Sequence, residues 1–394
     1  MPEVDWEAEA REDRLKRALA EREQHDALRL LTLPGSLVDF CSNDYLGFAR
    51  SAHLRGMVAE RYARRHDDHL GSTGSRLITG NSELCESLER RIADFHGAPA
   101  GLIFNSGYDA NLGLISSVPQ RSDTVLYDEL VHASIRDGLR LSHAKSYAFR
   151  HNDLQDLKRK LRLGRGQVFI AVESVYSMDG DAAPLADLVA LCREAGSYLI
   201  VDEAHATGVY GPGGRGRVAE LGLEQDVFAR VHTFGKALGS HGAIVLGSET
   251  LRTFLINFAR SFIYTTFLPP HSLLAVQCAY ELLGESQALI DALHGNIRLF
   301  REKTTTELGK SFTPSESPIQ CLLVPGNDRV RQMARGLQGQ GYDVRPILSP
   351  TVPRGKERLR ICLHAFNTST DIERLTEVLI GHFQEAASRA VTQP

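Results

Sequence analysis

Six short apolar runs punctuate the middle of this chain: Gly101–Phe104, Thr124–Tyr127, Val168–Glu173, Tyr198–Asp202, Phe228–Thr233 and Ala243–Gly247. Longer polar and amphipathic stretches separate them. Strands that read as continuous apolar runs are buried on both faces, and helical stretches between them act as crossovers of a parallel sheet. The expected core is therefore an α/β domain, a mostly parallel sheet covered by helices. Ligands of such sheets collect at the carboxyl ends of the strands. The residues just after each run are the candidates for chemistry.

The flanking segments read differently. Residues 3–31 are rich in Glu, Arg, Ala and Leu and predict a helix broken by Pro34-Gly35. Residues 51–66 predict another. A helix is expected over about 271–300, after Pro269-Pro270. Beyond it the runs Cys321–Val324, Tyr342–Arg345 and Leu359–Leu363 alternate with helices expected at 328–339 and 370–388, a small α+β unit. The resulting division is a helical arm over 1–50, a large domain over 51–280 and a small domain over 281–394.

Composition removes other classes. With 45 basic and 49 acidic residues, a net charge of −4, no global basic footprint points to nucleic acid. No apolar run approaches a membrane span. Met1 to Gln24 lacks the apolar core of a secretory signal. Cysteines at 41, 85, 192, 278, 321 and 362 have no C-x-x-C spacing, as expected for reduced thiols in a cytoplasm.

Asp202-Glu203-Ala204-His205 follows one run, and Lys236 follows the next in Thr233-Phe234-Gly235-Lys236. An acid, an imidazole and an amine at one sheet edge suit pyridoxal phosphate (PLP). There the Lys forms the Schiff base and the Asp keeps the pyridine nitrogen protonated. Asp-Glu-Ala-His also looks like the Mg²⁺ motif of a helicase ATPase. That machine needs G-x-x-x-x-G-K-[ST], and none of the Gly-Lys pairs at 235, 309 and 355 completes it. Gly211 to Gly216 matches G-x-G-x-x-G but lies well past its strand and reads as a loop. Asn105 to Asn111 follows a strand and opens a helix, which offers backbone N–H groups to a phosphate. His132 follows another strand, where an imidazole can stack on a cofactor ring.

Together with Ser42-Asn43-Asp44-Tyr45-Leu46-Gly47, Gly74-Ser75-Arg76, Ser106-Gly107-Tyr108, His132-Ala133-Ser134, Glu173 to Gly180 and Arg358-Leu359-Arg360, these motifs fall in the order found in the α-oxoamine synthases. The resemblance runs over about 38–385. Those are fold-type I PLP enzymes with a seven-stranded, mostly parallel sheet. They join an amino acid to an acyl thioester with loss of CO₂, as homodimers with active sites at the subunit interface. The resemblance implies Lys236 as the Schiff-base lysine, Asp202 as the pyridinium partner and His132 as the stacked ring. It implies His205 and Ser177 at the phenolic oxygen, and Ser106, Gly107, Tyr108 and Thr233 at the phosphate. Thr265 and Thr266 would reach the phosphate from the neighbouring subunit, and Asn43 and Arg360 would hold the amino-acid carboxylate. Gly235 is a departure, since many members carry Ser there.

The stretches 231–243 and 257–266 look most like the 8-amino-7-oxononanoate synthases of biotin synthesis. That branch condenses L-alanine with a pimeloyl thioester on coenzyme A or carrier protein. Ser75, smaller than the Thr of glycine-specific members, leaves room beside the α-carbon, and Arg345 is a candidate cation for the acyl chain's far carboxylate. Serine palmitoyltransferases share the Gly71 to Arg76 pattern. A glycine C-acetyltransferase is the other alternative, although its usual apolar residue at position 75 is missing.

Overall fold

The computed structural model describes residues 6–31, 33, 35–65 and 69–392. A helix, Trp6–Gln24, and a short strand, β1 (Val38–Asp39), precede the main sheet. The sheet contains β2 (Ala100–Phe104), β3 (Thr124–Asp128), β4 (Lys145–Phe149), β5 (Val168–Glu173), β6 (Tyr198–Asp202), β7 (Ala229–Thr233) and β8 (Ala243–Gly247). Their order is β2-β8-β7-β6-β5-β3-β4. Only β8 runs against its neighbours, β2 and β7; every other pairing is parallel. The mostly parallel, seven-stranded sheet expected from the resemblance is what the chain forms.

Six of the seven strands coincide with the apolar runs. The seventh, β4, was not among them. It is one of the sheet's two edges and, unlike buried β2 at the other, exposes Lys145 and Ser146. A strand wet on one side carries no continuous apolar signal, and lysine on an edge blocks pairing with another chain. The central strands have buried side chains on both faces, Ile170, Leu199 and Val201 on one side and Phe169, Ala171 and Ile200 on the other.

Two helical expectations are corrected. The first helix ends at Gln24, ten residues before the Pro34 break, because the chain reverses at Asp26 with φ 51°. Residues 3–5 and Pro34 lie outside the described residues. The helix expected over 271–300 is two, Pro270–Gly284 and Gln287–Leu308, parted at Glu285-Ser286 beyond a helix-weakening Gly284. A boundary at 280 therefore falls inside the first of them.

The C-terminal segment holds β9 (Ile319–Leu323), β10 (Tyr342–Asp343), β11 (Arg345–Ile347) and β12 (Arg358–Cys362) with the helices Asn327–Gly339 and Ser369–Thr392. The run Tyr342–Arg345 splits at buried Val344. β10 pairs with β1, whereas β11 joins β12 and β9 in an antiparallel sheet. The β1 pairing binds the N-terminal segment to this unit, and Arg360 on β12 comes within reach of Asn43.

Candidate active site

The carboxyl ends of β5, β6 and β7 and the loops after β2 and β3 surround a cavity of about 290 Å³. It is lined by Asn43, Ser106, Gly107, Tyr108, Asn111, His132, Ser134, Glu173, Asp202, Ala204, His205, Thr233, Gly235, Lys236, His241 and Gly242. A larger cleft of about 1030 Å³, between the first helix and the loops 325–329 and 349–357, lacks a comparable set of converging amine, imidazole and buried acids.

Lys236 reaches this edge because β7 runs parallel to β6 and ends three residues earlier. The surrounding protein strips water from its amine and lowers it to about 8, against the pull of Asp202 and Glu173. Such an amine gives up its proton near neutral pH. Asp202, 6% exposed, accepts the Ala204 N–H at 2.9 Å on one oxygen and Asn111 Nδ2 at 2.7 Å on the other. Asn111 also donates to Ser134 Oγ at 3.0 Å, which lies 2.8 Å from His132 Nδ1. One hydrogen-bonded chain thus links the acid to the ring that faces the cavity, and burial lowers the His132 imidazole toward its neutral form. Burial holds His205 well below its ordinary range as well.

On the opposite wall, Ser106 caps the helix Gly107–Ser117 by accepting the Asp109 N–H at 3.0 Å. The free N–H groups of that first turn open onto the cavity, an anion site by construction. Gly107 is required there, since a Cβ would stand 2.5 Å from Thr233 Cγ2. The helix's first turn therefore packs directly on the Thr233 side chain at the phosphate cradle.

These residues fit PLP: a cradle that a Cβ would fill, an amine for its aldehyde and a buried acid for its ring nitrogen. Residues 36–379 match the aminotransferase class I and II family. The chain belongs to that family. It is 47% identical to an 8-amino-7-oxononanoate synthase of Emericella nidulans, over 94% of this chain and 96% of that one. A serine palmitoyltransferase from S. paucimobilis, solved with PLP–myriocin bound, superposes with TM-score 0.86 at 25% identity, over 96% of this chain and 99% of that one. An 8-amino-7-oxononanoate synthase from Francisella tularensis superposes with TM-score 0.76 at 28% identity, over 89% and 99%. This class I and II family member is a PLP-dependent acyltransferase of the α-oxoamine synthase type.

Nine of the residues singled out in the sequence line the cavity: Asn43, Ser106, Gly107, Tyr108, His132, Asp202, His205, Thr233 and Lys236. Arg360 stands behind Asn43, donating to its Oδ1 at 2.9 Å and to the Ser177 carbonyl at 2.8 Å. Ser177 is not in the lining. Its N–H donates to Glu173 at 3.3 Å, so its backbone serves as a strut between Glu173 and Arg360. Arg345 pairs with Asp343, 2.6 Å from Nε, and faces Arg360 across β11 and β12 rather than the cavity. Ser75 begins an exposed turn carrying Leu77 and Ile78, outside the cavity. Thr265 and Thr266 accept from Asn105 Nδ2 at 3.0 and 2.7 Å, one residue before Ser106.

Sequence reasoning missed Asn111, Ser134, Glu173 and His241 as lining residues. Asn111 had a signal: it stands four residues after Gly107, on the same face of the helix. Glu203, the second acid of the Asp-Glu-Ala-His string, faces away and accepts the Val218 N–H at 3.3 Å beneath the Gly211 to Gly216 loop. That glycine string is a structural loop, as expected.

Proposed function

We propose that this enzyme condenses L-alanine with a pimeloyl thioester, releasing CO₂ and free thiol and giving 8-amino-7-oxononanoate for biotin synthesis. The observation that carries the reading is the Asn43–Arg360 pair beside the cavity that holds Lys236. It offers a planar cation for an amino-acid carboxylate next to an amine able to take a proton from the α-carbon. The name of the Emericella relative supports the choice of acyl chain.

When bound, PLP supplies a ring that delocalises the electrons left on the substrate α-carbon. The side chains do the rest. Lys236 Nζ would hold the cofactor through its aldehyde and is placed to act as the base for the α-proton. Asp202 would hold a proton on the ring nitrogen, and Asn111 fixes the carboxylate in place for it. His132, tied to Ser134, would pack against the cofactor ring. Ser106, Gly107, Tyr108 and Thr233 would hold the phosphate, and His205 would donate toward the phenolic oxygen.

Ser75, Thr265 and Thr266 lie outside this chain's own cavity, which accords with a homodimer in which they complete the second copy's site. Exposed Ile78 (80%) and Tyr264 (71%) flank them and need covering. Among the described residues no helix is long and apolar enough to cross a membrane. We place the enzyme in the cytoplasm.

The test is thiol release from glycine, L-alanine and L-serine against acetyl-, succinyl-, pimeloyl- and palmitoyl-CoA, with pimeloyl-carrier protein in parallel and product masses measured. Turnover confined to L-alanine with a pimeloyl thioester is expected. Preference for L-serine with a long chain would move the enzyme to sphingoid-base synthesis. Glycine with acetyl-CoA would make it a glycine C-acetyltransferase.

A further inference from the structure

Tyr45 is the largest side chain wholly withdrawn from solvent near the cavity, at 0% exposure, yet its hydroxyl is not idle. It lies 2.7 Å from His205 Nδ1 and 3.2 Å from Asn43 Oδ1. Asn43 Oδ1 already accepts from Arg360 Nη2 at 2.9 Å. The Arg360 guanidinium also pulls on the phenol oxygen. A phenol has one proton to give. The shorter contact, and an Asn oxygen already engaged by a cation, direct that proton to His205.

We propose that Tyr45 is a positioning residue: it donates to His205 Nδ1, which fixes the tautomer with the proton on Nε2, and it links that ring to the Asn43–Arg360 carboxylate site. The inference rests on the proposed role of His205 toward the cofactor's phenolic oxygen. A neutral imidazole whose Nδ1 accepts a hydrogen bond must carry its proton on Nε2, the nitrogen left for the cavity. His205 is held neutral by burial, and Lys236, Arg360 and His132 press in the same direction. Without the phenol, both tautomers compete, and the one protonated on Nδ1 would present a lone pair to the phenolic oxygen. The link also has a direction. Arg360 weakens Asn43 Oδ1 as a rival acceptor, so a substrate carboxylate that draws off the guanidinium lets Asn43 compete for the Tyr45 proton. The Nε2–H then donates less strongly once substrate is bound.

The substitution Tyr45→Phe keeps the ring and its packing and removes only the hydroxyl. Its readout is the pH midpoint of the visible absorbance of PLP on the holoenzyme, alone and with acetate as an unreactive carboxylate. Loss of the Nε2–H donor should raise the midpoint by about 0.5 pH unit or more, and acetate should move it less than in wild type. A midpoint and an acetate shift equal to wild type would overturn the proposal. ¹⁵N NMR of the wild-type holoenzyme with labelled histidine provides a second route that needs no variant. Protonated Nε2 with unprotonated Nδ1 is expected for His205, and the reverse assignment overturns the proposal. Wild-type protein that takes up PLP without any visible band would instead strike at the parent reading of Lys236.

Discussion

Glu173 and Asp202 are register partners on β5 and β6, and both line the cavity. Side chains in register on adjacent parallel strands share a face, so two carboxyls meet at the foot of the site. Asp202 has two hydrogen-bond donors, whereas Glu173 Oε1 has none. Burial, with Asp202 pushing the same way, raises the Glu173 carboxyl from 4.5 to about 8. One acid of the pair thus stays neutral where the other must be ionised to hold a pyridinium.

That difference has a thermodynamic signature. A folded-state value above the unfolded one means that the neutral Glu173 favours folding fully below pH 4.5, and that this contribution is lost as pH rises through about 8. Glu173→Gln keeps the shape and removes the titration. Cofactor-free variant should therefore melt with a flatter pH dependence over that window and gain on wild type at its alkaline end. Calorimetric Tm values at stepped pH provide the check. A variant running parallel to wild type would mean that Glu173 is already ionised in the fold.

Lys236 is the amine through which the cofactor would be held. Borohydride treatment of the holoenzyme should attach PLP to the peptide bearing Lys236, as mass mapping would reveal. Lys236→Ala should lose the visible band and at least about 10³-fold in kcat, in line with removal of a base that also anchors the reactive group. Label on another lysine, or turnover in the variant, would remove Lys236 from the mechanism.

The helix Gly107–Ser117 makes a sharper steric claim. A methyl at position 107 would press on Thr233 Cγ2, 2.5 Å away, and Thr233 ends a strand whose backbone cannot retreat easily. Gly107→Ala should part the helix from the strand and loosen the phosphate cradle. PLP affinity should fall about tenfold or more, roughly 1.4 kcal/mol, by titration of cofactor-free protein. The double variant with Thr233→Ser, which removes Cγ2, should recover part of that loss. Absence of recovery would break the steric account.

How much of this was legible in the chain depends on where each signal lives. Lys236, Asp202 and His132 follow strands whose side chains are buried on both faces, so apolar runs alone placed them on one sheet edge. The phosphate cradle carries its own local signature, a strand followed by Ser-Gly and a helix. β4 had none, because an edge strand facing water has no reason to be continuously apolar. Glu173 drew no attention as a site residue because its role comes from register with Asp202, a partner set by pairing rather than by spacing. Tyr45 is likewise invisible as a positioning group until the fold brings it to His205, 160 positions further along the chain. Arg345 shows the converse: a plausible cation in the sequence that the fold gives to Asp343.

His151 supports the cavity from outside. Its Nδ1 lies 2.9 Å from Asp128 and its Nε2 2.7 Å from Asp181. Asp128 ends β3 just before the loop that delivers His132, and Asp181 follows the turn that carries Ser177. Burial alone would lower the imidazole, but the two carboxylates prevail and raise it to about 10. Since that lies above the ordinary 6.5, the clamp stabilises the fold fully below pH 6.5 and loses its effect as pH rises through about 10. His151→Ala takes the imidazolium from Asp128, whose wholly buried side chain keeps the Leu130 and Asn152 N–H groups. The cost should be about 1–3 kcal/mol at neutral pH, less than for a fully buried pair because His151 keeps some contact with water. Urea unfolding of both proteins should show that gap at neutral pH and its closure once the imidazole has lost its proton. A gap that persists unchanged in alkali would mean that His151 acts there by packing against Tyr176, not by charge.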